Sequence, residues 1–243
     1  MPFTAAHPAI VLPFIRLNPK YVSATGLIIG SVSPDFEYFL KMSVDSKYSH
    51  TIPGIFYFDI PITIGLAFLF HLVIKRNLIL NLPPGIQQRF QDLLRSDFRQ
   101  YFREHFIAFM VCSAFGAATH VFWDSFTHNG AYFARELSFI RGSFVSFLGT
   151  RYPMFFVLQQ VSTGVGLSII VLYIIYMKPD PIRPYKPSFN YWMWCVIILL
   201  ITVAVRFLMR NYDFNLGNLV VTMISGFCVA LVVTGFIKYE YNY

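Results

Sequence analysis

A chain of 243 residues that is 56% hydrophobic, 19% aromatic and only 13% charged stands apart from soluble domains, in which about a quarter of residues are charged. A mean hydropathy of +0.56 places it in the membrane class. The net charge of +7 is spread over every connecting loop, which argues against nucleic acid as a partner and for anionic lipid head groups.

The first two apolar runs, 8–17 and 21–33, are interrupted by Pro13 and by Gly26 and Gly30. Both fall short of the roughly 20 apolar residues that a bilayer span needs, and they read as re-entrant or interfacial pieces. Nothing in them reads as a cleavable signal, because the first charge is Arg16 and Pro8 and Pro13 break the early apolar stretch. Segments 53–74, 105–126, 153–176, 190–209 and 216–237 are long enough to cross. The expected fold is therefore all-α: a polytopic helical membrane protein of about five transmembrane helices, preceded by interfacial helices.

Loop 75–104 opens on Pro83-Pro84-Gly85 and continues with Ile86, Phe90, Leu93, Leu94, Phe98 and Phe102 among Arg89, Arg95, Arg99 and Arg103. That pattern resembles an amphipathic helix lying on a membrane surface. Lysines and arginines divide almost evenly between the two sides, with a small excess that points to loop 75–104 as cytoplasmic. The Pro-rich connector from Pro179 to Pro187 reads as stiff and solvated. It separates residues 1–178, which hold all the histidines, from a final helical pair, 190–237, that looks like scaffold or a surface for a membrane partner or a second copy. Cys112, Cys195 and Cys228 all lie in candidate spans and read as inert packing residues.

Chemistry concentrates in residues 116–130. His120, Asp124 and His128 are spaced i, i+4, i+8 and share one stripe of a helix. Two imidazoles and a carboxylate are a ready set of first-row metal ligands, and a polar stripe in a membrane segment is a functional-site hypothesis by default. Alternation of the spans brings more residues to the same side. His50 and Asp59 begin the first span, and His120, Asp124 and His128 end the second. Gln159 and Gln160 lie about 10 Å into the third at 1.5 Å per residue. His7, Asp35 and Glu37 precede the first span and can reach that face, whereas His71 and His105 fall at the opposite end, about 30 Å away.

Each residue alone also has a structural reading. His120 can be a core histidine bonding a carbonyl, Asp124 its intrahelical partner, and His128 a helix-end residue facing the C-terminal dipole. His7-Pro8 can be a helix start, and Ser33-Pro34-Asp35 a turn. Their coincidence on one side favours a metal site.

Several motifs are familiar: Met1-Pro2-Phe3-Thr4-Ala5-Ala6-His7-Pro8-Ala9, Gly30 to Phe39, Ser49-His50-Thr51-Ile52-Pro53-Gly54, Phe58-Asp59-Ile60-Pro61, Phe70-His71, Thr119 to His128, and Leu158 to Ser162. Together they resemble a bacterial membrane family known as domain of unknown function 4184, over about residues 1–175. That family is distantly similar to LexA-binding inner-membrane hydrolases and, more remotely, to zinc-dependent phospholipase C. The resemblance implies His7, Asp35, His50, His120, Asp124 and His128 as ligands of one or two divalent metals, zinc first, with manganese and iron as alternatives. It also implies a bacterial inner-membrane location. His71 matches the family motif, so either it is structural or the first span is misdrawn.

The expected function is metal-dependent hydrolysis of an ester or phosphoester of a lipid-like substrate at the membrane interface. Glu37 would accept a proton or orient a ligand, while Asp59 and Gln160 would orient ligands or substrate. The rival readings are a scaffold held together by a polar cluster and a transporter coupled through its carboxylates; no internal repeat supports the latter.

Overall fold

The structure is a computed structural model describing residues 3–209 and 215–241; Met1 and Pro2 of the opening motif and residues 210–214 lie outside them. In chain order the helices are α1 (Ala24–Gly30), α2 (Phe36–Lys41), α3 (Ile52–Leu80), α4 (Pro84–Gln87), α5 (Gln91–Arg95), α6 (Phe98–Glu104), α7 (Phe106–Thr127) and α8 (Tyr132–Glu136). A two-stranded hairpin follows, β1 (Phe144–Phe147) and β2 (Thr150–Pro153), then α9 (Met154–Tyr176), α10 (Phe189–Leu208) and α11 (Leu216–Gly235). Five stretches, built on α3, α7, α9, α10 and α11, are long and apolar enough to cross a membrane, and the chain is an all-α polytopic protein.

Three local expectations change. The first span runs on to Leu80 and contains two π-helical turns, Ile55–Asp59 and Phe70–Ile74. The surface helix expected over 84–104 is three short helices with a 3₁₀ turn between the first two, because Gln87, Gln91 and Phe98 are buried and turn the chain inward. The loop after the second span holds the small antiparallel hairpin, a strand pair too short and too exposed to show in apolar periodicity.

The chain divides into two compact units, the first comprising Met1–Asp35, Tyr48–Thr63 and His105–Ile175. Its organising contact is the crossing of α1 against α7. A Cβ on Gly30 would lie 2.5 Å from the Ser113 carbonyl oxygen, and one on Gly116 would lie 2.5 Å from that of Leu27. Only glycine lets the two backbones meet so closely, as in small-residue crossings of membrane helices. The glycines that interrupt the early apolar run are thus its packing face. Val11, Leu27 and Cys112 form the adjoining core. The 3₁₀ segment Thr4–Ile10 lies along α9: Phe3 N donates to Thr163 Oγ1 at 3.0 Å, and Arg16 Nε donates to Tyr173 OH at 2.8 Å.

The second unit comprises Phe36–Lys47, Ile64–Glu104 and Tyr176–Tyr243, and pairs α10 with α11 around Tyr191, Cys195 and Ala230. The Pro-rich connector is not simply solvated. Gln87 Nε2 donates to the Tyr185 carbonyl at 2.9 Å and its Oε1 accepts from Tyr185 N at 3.0 Å, while Arg95 pairs with Asp180 at 2.9 Å. At the C-terminal end of α11, Asn77 Nδ2 donates to the carbonyls of Thr234 and Ile237 at 2.8 and 2.9 Å. Carbonyls at a helix end lack intrahelical donors; Thr234 O also accepts from Ile237 N at 3.2 Å, and Asn77 supplies the further donors where water is scarce. Asn77→Ala is expected to lower stability by about 1–3 kcal/mol, read as an earlier thermal unfolding transition in detergent.

Candidate metal centre

The last two turns of α7 carry the centre. The stripe Ser113, Gly116, His120 and Asp124 is buried, its upper part against α1, so its lower part faces the chain that leaves α1. There Ser31 O, a carbonyl at the helix end, accepts a hydrogen bond from His120 Nδ1 at 2.7 Å. With Nδ1 committed to that carbonyl, Nε2 is turned toward the centre, as in metal-binding histidines whose other ring nitrogen is held by a carbonyl. The 3₁₀ turn Ser33–Asp35 then presents Asp35, whose Oδ2 accepts from the Thr4 hydroxyl. His50 comes from the turn before α3, with φ +51°, a left-handed conformation that costs a non-glycine residue energy. Its Nδ1 is hydrogen-bonded to Ser49 Oγ at 2.7 Å, so its Nε2 also points inward.

Four ligand atoms converge. His50 Nε2 lies 3.3 Å from Asp35 Oδ1 and 3.4 Å from Asp124 Oδ2. His120 Nε2 lies 3.4 Å from Asp35 Oδ1 and 3.3 Å from Asp124 Oδ2. Ligands about 2.0–2.1 Å from a tetrahedral cation are separated by about 3.3–3.4 Å, so these four N···O edges have the spacing of a zinc-sized site. All four atoms lie within 4.8 Å of one another. Asp35 and His120 are fully buried, yet Asp35 Oδ1, His120 Nε2 and both oxygens of Asp124 have no hydrogen-bond partner. Buried polar atoms are rarely left so, and a divalent cation would satisfy them and neutralise both carboxylates.

His7 and His128 border this group. His7 is fully buried, stacks on His120 with ring centroids 3.6 Å apart, and places Nε2 3.5 Å from Asp124 Oδ1. His128 Nδ1 bonds the Asp124 carbonyl at 3.0 Å and lies 3.7 Å from Asp124 Oδ1. Asp124 therefore presents Oδ2 to His50 and His120, and Oδ1 to His7 and His128. Burial, together with the neighbouring His120, drives the His7 pKa down to about 3, so its imidazole is neutral and able to ligate. Burial alone would raise Asp35, but the His120 and His50 imidazoles outweigh it and hold the carboxyl below its ordinary range. Burial would likewise lower His50, and the facing Asp124 and Asp35 carboxylates raise it instead.

The structure thus brings together His7, Asp35, His50, His120, Asp124 and His128. Asp59 is fully buried in the π-helical turn that packs against α7, but is not one of the four converging ligands. Glu37 belongs to the second unit, where Oε1 accepts from Lys41 Nζ at 2.6 Å and Lys47 N at 2.8 Å. Gln160 is exposed on α9. His71 stacks on Phe98 at 4.3 Å in the second unit, and His105 stands before the first turn of α7. Sequence reasoning missed Thr4, Ser31 and Ser49, which orient the ligands. Ser31 does so through a backbone carbonyl, for which a side-chain pattern holds no signal.

A family model described as domain of unknown function (DUF4184) matches residues 1–236. The chain belongs to this family. The match includes the C-terminal helical pair, beyond the stretch of about 1–175 over which individual motifs are recognisable. No curated protein and no solved structure matches the chain.

Proposed function

We propose that this DUF4184 protein is a metal-dependent hydrolase of the bacterial inner membrane, acting on an ester or phosphoester of a lipid-like substrate. The observation that carries the reading is the convergence of two imidazoles and two carboxylates at cation spacing, with Asp35 Oδ1, His120 Nε2 and both Asp124 oxygens buried and without a hydrogen-bond partner. Zinc is the first choice, since two imidazoles and two carboxylates with N···O separations of 3.3–3.4 Å suit it. A divalent cation held there supplies Lewis acidity and an acidified water.

The chain's own residues set the rest. Asp35, His50, His120 and Asp124 hold the cation, and Ser31, Ser49 and Thr4 fix their orientation. His7 and His128 offer further ligands through Asp124 Oδ1. The side chain of His128 is 27% exposed and lies at the rim, where it can take a proton from the attacking water and return it to the leaving group. Asp59, buried in a helix that packs on α7, shapes the ligand helices, and Gln160 meets substrate from the lipid side. A site at the end of a spanning helix suits a substrate whose head group is in water and whose tails are in lipid.

Metal analysis of detergent-purified protein, prepared without chelator, tests this. One or two zinc ions per chain are expected, with hydrolysis of lipid phosphoesters abolished by chelation and restored by zinc. Well-folded protein without stoichiometric metal would leave a structural polar cluster.

A further inference from the structure

One residue beyond His128 the chain enters a cavity of about 240 Å³, lined among others by Asn129, Ala134, Arg135, Ile140 and Arg141. Of these, Ala134 and Ile140 are buried, while both arginines are exposed. Among the described residues neither guanidinium has an ion pair or a hydrogen bond. Two unpaired guanidiniums at one concavity repel each other, and their forked donors match tetrahedral oxyanions. The volume is below the roughly 300–1,000 Å³ of pockets that enclose a whole small molecule, so it suits a head group alone.

The hairpin closing the cavity supplies a second, independent observation. Phe144 and Pro153, paired at its base, line the pocket, and its tip is the two-residue turn Leu148-Gly149. Both turn residues have positive φ, +49° and +79°. Such turns favour asparagine or glycine at the first position, and a leucine there is strained. Leu148 is nonetheless 88% exposed, beside Phe147 at 64%. An apolar side chain held out at a conformational cost has a purpose where the surroundings are lipid. Arg151, on the hairpin and against the Phe144 ring at 5.4 Å, adds a third cation to the 128–153 segment.

We infer that the 128–153 segment is a lipid head-group site: Arg135 and Arg141 bind the phosphate of a membrane phospholipid while Phe147 and Leu148 insert among its tails. As a substrate subsite it rests on the hydrolase reading; as a binding site it stands without that reading.

The test measures binding of short-chain phosphatidylglycerol and, separately, of inorganic phosphate to the full chain in zwitterionic nanodiscs. It compares wild type, Arg135→Gln/Arg141→Gln, Leu148→Asn and Asp124→Ala. The double arginine variant is expected to bind the lipid at least about tenfold more weakly. Leu148→Asn should weaken lipid binding with phosphate binding unchanged, and Asp124→Ala should retain lipid binding within about twofold even as it loses metal. Unchanged binding in the double arginine variant would overturn the inference while leaving the metal reading intact. So would equal binding of inorganic phosphate and lipid, or loss of lipid binding in Asp124→Ala alone.

Discussion

Asp124→Ala is expected to empty the metal centre. Among the described residues Asp124 is the one side chain that faces all four clustered histidines, with Oδ2 3.4 and 3.3 Å from His50 and His120 and Oδ1 3.5 and 3.7 Å from His7 and His128. Removing it deletes a ligand at the centre and any carboxylate bridge toward His7 and His128. Loss of an outer partner to a ligand costs about 10–100-fold in metal affinity, and loss of a ligand should exceed about a hundredfold. Competition with a chromogenic zinc chelator measures this directly. The Thr4→Val variant, which removes only the hydroxyl that holds Asp35 Oδ2, should fall within the smaller range. If zinc affinity in Asp124→Ala equals that of wild type, zinc binds elsewhere and the centre is misassigned. A purely structural cluster would instead show lower thermal stability in Asp124→Ala with no dependence on added zinc in any variant.

Gly116→Ala should be nearly as damaging, although it adds one methyl group and removes nothing. The new Cβ would lie 2.5 Å from the Leu27 carbonyl oxygen and 2.8 Å from Ser31 N, both backbone atoms that cannot rotate away. Relief requires α1 to move off α7, and Ser31 is the residue whose carbonyl orients His120. Overpacking typically costs about 1–3 kcal/mol, and a backbone obstacle puts this substitution at or above the upper end. The expected result is reduced yield and a lower unfolding temperature, with weakened zinc binding in the protein that folds. Gly164→Ala on α9 is the control: nothing lies within 4 Å of the added methyl, and the change should be neutral or slightly stabilising. Equal behaviour of the two variants would show that the α1–α7 crossing does not set the geometry of the centre.

The sequence by itself determined the membrane class, the five long helices and the shared face of His120 and Asp124. Apolar length shows in any single stretch, because a span must bury about 20 residues regardless of its neighbours. The i, i+4 spacing of His120 and Asp124 fixes their shared face, because helical periodicity is local. The alternation of spans then places His7, His50, His120 and His128 on one side and His71 and His105 away from it. The structure joins the first four around Asp35 and Asp124.

Tertiary structure decided what depends on the partner across the crossing. Gly26 and Gly30 look like interruptions along the chain and become a packing face only when α7 lies against them. Glu37, two residues from Asp35, looks like a member of the centre, yet its carboxylate is held by Lys41 and by the backbone of Lys47. Adjacent residues in a helical turn point in different directions, and sequence proximity does not say which way. Loop 84–104 and the Pro-rich connector follow the same rule. Their composition suits a surface, but Gln87 and Arg95 tie them together through bonds between residues about a hundred positions apart. Periodicity reports the environment of a single element, whereas the ligand set and its hydrogen-bonded supports are agreements between distant elements, and these exist only once the chain has folded.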